Sequence, residues 1–323
     1  MPGGRAFRIV RKRDLFIITS CSNRKRATAS GVVGIHSIPR DSTANVAKRW
    51  MKNVRAARHT KTATELYVGR GFAQAMECKA LVCGRLFVVS AGLGLIEGDA
   101  QVPNYDLTIS PSSSNIERRI IKGEFSCRTW WAEISKLGTQ IRGISGLISA
   151  YPASLLFIAL PRTYVNMVAE DLGSIGPRLA EHIRLFSSEG ARHLLPPALQ
   201  PTLMPYDSRL DGPDSPLPGT KADFAQRAMH HFLKNIYPHL SNDPAQDARA
   251  VLRLLRRLRP PVRPNRKRMS DPEVTAVMRK HFKKVDGQSS QMLIYLRQNL
   301  GIACEQKRFT KLFRDLKNSL RNH

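Results

Sequence analysis

The chain has 323 residues, and 42% of them are hydrophobic, which is enough to form a core and excludes a wholly disordered chain. Lysine and arginine total 52 against 25 aspartate and glutamate, so the net charge is +27. Such an excess repels itself in a folded chain and favours an anionic partner. Nucleic acid is the first candidate, ahead of an anionic membrane surface or ribosome-like RNA binding.

The cysteines are scattered along the chain. They stand at positions 21, 78, 83, 127 and 304. An odd number without regular spacing argues against a disulfide framework, and Cys78 and Cys83 lack the spacing of a zinc site. We therefore expect neither a metal nor another cofactor. The first apolar run, at 15–18, is too short for a signal peptide or a membrane span, which predicts a cytoplasmic protein without membrane contact.

Short apolar runs alternate with helical segments over the first 237 residues. Continuous apolar runs predict strands at 14–20, 86–96, 155–160 and 183–188, with a candidate fifth strand at 201–207. Helical patterns lie at 43–59, 63–83, 114–142, 163–172 and 219–237. Because the strand runs lack polar alternation, they predict an α/β domain over residues 1–237, with a mostly parallel sheet flanked by helices.

The last quarter of the chain carries much of the positive charge. Residues 249–323 hold 20 lysine and arginine residues against five aspartate and glutamate. We predict a basic, proline-rich linker at 238–270, which includes a basic helix at 248–259, and a helical DNA-binding domain at 271–323. The predicted helices lie at 271–285, 289–301 and 304–320. A short turn that begins at Gly301 separates the last two, which is typical of a helix-turn-helix.

Basic and polar side chains of this region are predicted to contact double-stranded DNA. They are Arg266, Lys267, Arg268, Gln306, Lys307, Arg308, Lys311 and Arg314. The alternative is a small helical bundle whose basic face is only solvated.

Loops that follow the predicted strands are candidate sites, because ligands of parallel sheets bind beyond the carboxyl ends of the strands. The first of these loops contains Cys21, Ser22 and Asn23, which suit the binding of an anion through side chains and backbone N–H groups. Cys21 is either a nucleophile activated by nearby cations or a small residue packed at a strand end. No histidine lies close in sequence to serve as its base.

The region after the second strand combines glycines with polar side chains. Ser90 and Gly92 permit a close approach of the backbone to a ligand. Asn104 suits a hydrogen bond to the edge of a base, and Tyr105 suits stacking on it. Asp106 suits the orientation of water or the stabilisation of an oxocarbenium-like sugar. A turn that only connects two elements is the alternative.

Four further residues are candidate walls of the same site. Tyr67 and Arg70 lie in the helical segment 63–83, and Arg162 and Tyr164 follow the third predicted strand. Each is equally compatible with packing or with a place on the surface.

Four short motifs together resemble a known group of proteins. They are TSCSNRK (19–25), ELYVGR (65–70), a Ser-Ala-x-x-Gly-Leu strand end (90–95) and Pro-x-Tyr-Asp (103–106). This combination resembles the peroxide-stress YaaA-like and archaeosine-synthase-associated domains, near the uracil-DNA-glycosylase-like α/β fold. It is also similar to Brig-type antiviral bacterial DNA glycosylases. The resemblance covers about residues 14–237.

The resemblance implies an enzyme that removes a modified base from DNA, such as phage DNA in antiviral defence. It implies that Asn23 occupies the place of a polar catalytic residue, that Asn23 and Tyr105 contact the base, and that Asp106 acts as an acid-base or electrostatic residue. The water-activating aspartate of uracil glycosylases is absent from the first loop, and LPRTY (160–164) replaces their His-Pro-Ser motif. Simple uracil excision is therefore not implied.

Two other functions fit the same residues. A non-enzymatic DNA-binding regulator or stress-protective protein needs only the basic tail and predicts binding with a steep salt dependence. A tRNA base-modifying enzyme would prefer tRNA over duplex DNA in competition. No oligomeric state is predicted.

Overall fold

A computed structural model describes residues 14–27, 31–138, 141–262 and 265–321. The chain divides into two compact units, Met1–Pro261 and Val262–His323. Each unit has its own cluster of buried apolar side chains. In the described ranges, no helix is long and apolar enough to cross a bilayer.

The strands are short, and five of them form the central sheet. Their bounds are β1 (Leu15–Ser20), β2 (Val33–Gly34), β3 (Asp41–Ser42), β4 (Lys61–Thr62), β5 (Arg85–Ser90), β6 (Gly94–Glu97), β7 (Gln101–Val102), β8 (Tyr105–Asp106), β9 (Ile120–Lys122), β10 (Leu155–Ala159), β11 (Ile183–Phe186), β12 (Lys267–Arg268) and β13 (Ile302–Ala303).

The helices vary from one turn to sixteen residues in length. Their bounds are α1 (Thr43–Ala56), α2 (Ala63–Leu66), α3 (Arg70–Val82), α4 (Cys127–Leu137), α5 (Gly143–Ala150), α6 (Arg162–Met167), α7 (Ala169–Gly173), α8 (Pro177–Ala180), α9 (Phe224–Asn235), α10 (Pro244–Leu255), α11 (Asp271–His281), α12 (Ser289–Ile294) and α13 (Gln306–Arg321).

The central sheet has the order β11-β10-β1-β5-β6. β1 lies in the middle and pairs in parallel with β10 and β5, and β10 pairs in parallel with β11. Phe16, Ile17 and Ile18 of β1 are fully buried, as expected for a strand that packs on both faces. The predicted α/β class, with a mostly parallel sheet flanked by helices, is confirmed.

Two predicted strands differ from the structure. The run 86–96 is a hairpin rather than one strand, because β6 returns antiparallel to β5 after a turn in which Gly94 has φ +78°. The run 201–207 forms no strand: a 3-10 turn occupies Pro197–Thr202, and only one bridge joins Leu185 to Leu203. Prolines deprive this segment of the N–H groups that a strand ladder needs.

The predicted helix at 63–83 is interrupted. α2 ends at Leu66, Tyr67 is extended, and Gly69 has φ +120°, after which α3 begins at Arg70. This break places residues 67–70 next to the loop that follows β1, since Lys25 and Tyr67 form a β-bridge. α9 packs against α3 and covers the same side of the sheet.

Part of the predicted linker belongs to the first unit. α10 lies within 238–270, and its Val251 and Leu255 are fully buried in the first unit's core. Its Asp247 forms an ion pair of 2.6 Å with Arg184 of β11, and both side chains are nearly inaccessible to water. The boundary therefore falls after Pro261 rather than at 237.

The second unit is a small helical module with one short ladder. The predicted apolar side of the last helix is buried, since Phe309, Leu312, Phe313 and Leu316 join one cluster. α12 continues as a π-helical turn over Tyr295–Asn299. β13 then pairs in parallel with β12 before α13 begins. A short strand thus occupies the connection for which the sequence predicts a simple turn.

Candidate functional site

The loop after β1 opens into a cleft of about 400 Å³ at the carboxyl end of the strand. Three segments meet there: the loop itself, the start of α3 and the start of α9. The lining residues are Ser20, Cys21, Ser22, Asn23, Arg24, Gly69, Arg70, Gly71, Phe72, Thr220, Ala222, Asp223 and Gln226. The structure thus brings four predicted site residues together: Cys21, Ser22, Asn23 and Arg70.

Cys21 joins this cleft to a group of buried tyrosines. Its Sγ lies 3.1 Å from the Tyr164 hydroxyl, and its backbone N–H donates to the carbonyl of Val89. Burial raises the pKa of Tyr164 well above its usual value, so its hydroxyl stays protonated. A protonated Tyr164 hydroxyl therefore lies against Cys21 Sγ.

Tyr67, Ser90 and Tyr105 form a connected hydrogen-bond network. The Tyr105 hydroxyl lies 2.8 Å from that of Tyr67 and 2.7 Å from Ser90 Oγ. The N–H groups of Gly92 and Leu93 donate to Ser90 Oγ. Burial raises the pKa of both tyrosines, which therefore remain neutral. The network satisfies polar groups that the core would otherwise leave unpaired.

The stacking role predicted for Tyr105 requires correction. The residue is only 1% exposed, and a Cβ at Gly92 would stand 2.7 Å from its ring. The ring face is further covered by Lys25, whose Nζ lies 4.2 Å from the ring centroid. Tyr105 therefore has no free face for a base and instead supports the loops.

Lys25 is the titratable group at the centre of this arrangement. Burial lowers the pKa of Lys25, whereas the electrostatic effects of Cys21 and Asp106 raise it. The amine also lies 5.9 Å from the Tyr67 ring centroid. A cation that lies over two aromatic rings is favoured in that position, which suits an electrostatic role.

Asp106 lies beside this group but outside the wall of the cleft. The ladder of β2 with β8 pairs Gly34 with Asp106, and Ser114 Oγ donates a hydrogen bond to the carboxylate. The residue is exposed. Asn23 and Asp106 therefore do not line the same cleft. Lys25 lies in the loop that contains Asn23, and Asp106 is one of its electrostatic neighbours.

The other predicted wall residues are less central. Arg70 pairs with Asp223 at 3.2 Å and donates to the carbonyl of Pro218. Arg162 lies on the surface with its Nη2 at 3.3 Å from His193 Nε2. Asn104 is buried with 9% of its surface exposed, so it offers little surface to a base, and its backbone carbonyl accepts a hydrogen bond from the N–H of Val33.

Sequence reasoning misses Lys25 and Gln226 as site residues. Lys25 follows Asn23 in the same polar loop, which is a usable signal. Gln226 lies in the amphipathic segment 219–237, where only the packing of α9 against α3 reveals that its amide is buried.

The predicted DNA contacts of the second unit separate into two sets. Gln306, Lys307, Lys311, Arg314, Lys267 and Arg268 are exposed. Arg308 instead pairs with Asp271 at 2.6 Å and donates to the carbonyl of Met269, and Arg266 donates to the carbonyl of Arg297. These two arginines stabilise the module, so they are less available to DNA than the sequence suggests.

Comparisons with known proteins identify no relative, so any function must be inferred from the structure of the site. No protein-family model matches the chain, and no curated protein or solved structure is significantly similar to it. Across the residues that the structure describes, no group of three or more histidine, cysteine, aspartate or glutamate side chains is arranged to hold a metal ion.

Proposed function

We propose that the chain is a DNA N-glycosidase that excises a modified base from duplex DNA. One observation carries the proposal: a polar cleft at the carboxyl end of the central strand adjoins a buried network with a fixed lysine and an accessible carboxylate. Ligands of parallel sheets bind at this edge. The uracil-DNA-glycosylase-like fold implied by the short motifs supports the same function.

The proposed chemistry follows from what glycosidic cleavage requires. In hydrolysis, the bond between base and sugar breaks, the oxygen of a water molecule bonds to the sugar carbon, and the leaving base takes up a proton of that water. The step develops positive charge on the sugar, which a carboxylate stabilises. Asp106 is exposed and hydrogen-bonded to Ser114, which would hold its carboxylate in place for that role. Asn23 in the cleft would bind the base, whereas Lys25 would add positive charge beside the buried tyrosines. No metal or cofactor is required by this scheme.

The second unit would supply affinity for the duplex. Extruding a base costs a few kcal/mol, and contacts to phosphates offset part of that cost. Lys307, Lys311 and Arg314 are exposed on α13, which would act as the recognition element of a helix-turn-helix-like module.

Mass spectrometry of small molecules released from DNA tests this proposal. We expect the full chain to release a free base from modified phage DNA and to leave abasic sites. Asp106→Ala should abolish release while duplex affinity is retained. The matched control is Asp99→Ala, which removes an exposed carboxylate that pairs with Lys79 at 3.6 Å and should retain release. Loss of both affinity and release in Asp106→Ala would make Asp106 a structural residue and end the assignment.

A non-enzymatic DNA-binding protein is the second candidate. The position of Asp106 outside the wall that contains Asn23 favours it, because the two proposed catalytic side chains do not face one cavity. This candidate predicts duplex binding that weakens steeply with salt and no base release from any DNA.

A further inference from the structure

Gln226 carries an unpaired acceptor in the wall of the cleft. Gln226 is buried, with only 3% of its surface exposed. Its Nε2 donates to Thr19 Oγ1 at 3.0 Å and to the carbonyl of Ala159 at 3.3 Å, which fixes the orientation of the amide. Its Oε1 accepts no hydrogen bond from the described part of the chain. Buried polar atoms are rarely left unpaired, so this oxygen is prepared for a donor that is not part of the protein.

The start of α3 opens beside this oxygen. α3 is a helix of 13 residues, and no described side chain caps its first turn. Its N-cap, Gly69, has φ +120°, and a Cβ at Gly71 would lie 3.3 Å from Gln226 Oε1. Neither glycine carries a side chain that could cover the first turn of α3. The free N–H groups and the positive end of the helix dipole favour an anion such as phosphate.

The charges around the helix start favour an anion as well. Arg24 and Arg70 line the cleft and are exposed. Asp223 also lines it, but its carboxylate pairs with Arg70 at 3.2 Å and with Arg227 at 2.8 Å. The negative charge of Asp223 is therefore compensated within the protein and does not repel a phosphate.

We propose that this cleft binds a single nucleotide, with its phosphate on the start of α3 and an N–H donor of its base on Gln226 Oε1. The proposal rests on the proposed function for the class of substrate and adds the residues that would select it. The cleft volume of about 400 Å³ lies within the range of small-molecule sites. Gln226 is then a specificity-determining residue, because its Nε2 is already engaged and only its acceptor faces the base.

Isothermal titration calorimetry of the full chain tests the site with three kinds of probe. These are the four deoxynucleoside 5′-monophosphates, the corresponding deoxynucleosides, and inorganic phosphate. We expect at least one monophosphate to bind about tenfold more tightly than its deoxynucleoside or inorganic phosphate, because only it fills both subsites. Equal affinity for the monophosphates and inorganic phosphate would overturn the proposal.

Two variants locate the binding. Gly71→Ala places a methyl group 3.3 Å from Gln226 Oε1 and should weaken monophosphate binding about tenfold. A cooperative thermal transition of this variant shows that the loss of affinity does not come from unfolding. Gly146→Ala in α5 is the matched control, since its nearest neighbour would lie at 3.8 Å, and it should bind normally. Gln226→Met, which removes the acceptor Oε1, should also weaken monophosphate binding about tenfold. If Gln226→Met fails to fold, the affinity of Gly71→Ala tests the site. Unchanged affinity in Gly71→Ala would exclude this cleft.

The outcome separates this inference from the proposed function. Monophosphate binding without base release from any DNA would support the nucleotide site and reject the glycosidase. Base release by a chain that binds no monophosphate would reject the nucleotide site and retain the glycosidase.

Discussion

Lys25 Nζ lies 4.2 Å from the centroid of the Tyr105 ring, so an aromatic face replaces part of the water around the amine. Burial consequently lowers the pKa of Lys25 from its ordinary value of 10.5, whereas the charge of Asp106 raises it. In the unfolded chain this burial is absent. The folded state therefore gains stability from Lys25 as the pH rises through its lowered pKa towards 10.5.

The first prediction concerns the coupling of Lys25 to Asp106. Asp106→Asn removes a negative charge that raises the pKa of Lys25, so the pKa should fall further. NMR titration of the lysine Cε resonances measures it. Asp99→Asn should leave the Lys25 titration unchanged, since Asp99 pairs with Lys79. A rise in the pKa of Lys25 in Asp106→Asn would contradict the electrostatic relationship.

The second prediction concerns the packing that holds Tyr105. Gly92→Ala puts a Cβ at 2.7 Å from the Tyr105 ring and 3.3 Å from Trp50. Since both rings are buried, we expect a decrease of about 1–3 kcal/mol in the free energy of unfolding. Gly173→Ala is the control, because no atom lies within 4 Å of its Cβ position, and it should be neutral or slightly stabilising. Chemical denaturation measures both, and equal stabilities would argue against this packing.

The third prediction concerns the ion pair between β11 and α10. Asp247→Ala leaves the guanidinium of Arg184 buried without its partner, which should cost about 3–5 kcal/mol in the free energy of unfolding. Arg249→Ala on the same helix removes only an exposed pair with Asp243 at 3.8 Å and should cost at most about 1 kcal/mol. Thermal and urea unfolding compare the two, and a small decrease in Asp247→Ala would mean that water reaches Arg184.

The fourth prediction rests on the proposed DNA-binding role of the second unit. Replacing Lys307, Lys311 and Arg314 by alanine should weaken duplex binding and lower the slope of log affinity against log salt by about 0.9 for each phosphate that is no longer neutralised. Lys136→Ala on α4 should leave that slope unchanged. Arg308→Ala should instead destabilise the second unit, because it removes the ion pair with Asp271. Fluorescence anisotropy at several salt concentrations measures the slope, and an unchanged slope in the triple variant would argue against DNA contacts by α13.

The sheet is predictable because buried parallel strands appear in the sequence as continuous apolar runs, as in 15–20 and 155–159. The same property hides the hairpin, since β5 and β6 are both apolar and only a short turn at 91–93 separates them. The cleft is predictable in part, because the loop at 21–23 directly follows a strand end. The place of Gln226 in the cleft results from the packing of α9 against α3, two helices that are far apart in the sequence, so no local sequence pattern predicts it.

The sequence predicts a basic helix in the segment of α10 but assigns it to a linker, because its arginines dominate a segment bounded by prolines. Its packing on the first unit through Asp247, Val251 and Leu255 is not apparent from that pattern. The position of Asp106 outside the cleft is equally hidden. It follows from the pairing of β8 with β2, two-residue strands that carry no detectable pattern.

Because α10 packs into the core of the first unit, it determines where the chain can be truncated without loss of folding. A fragment that stops at residue 237 lacks Asp247, so the Arg184 guanidinium would remain in the interior without a counterion. Such a fragment should aggregate during expression, whereas one that ends at Pro261 keeps the whole folding unit. Separate assays of base release and duplex binding should therefore start from pieces divided at that residue.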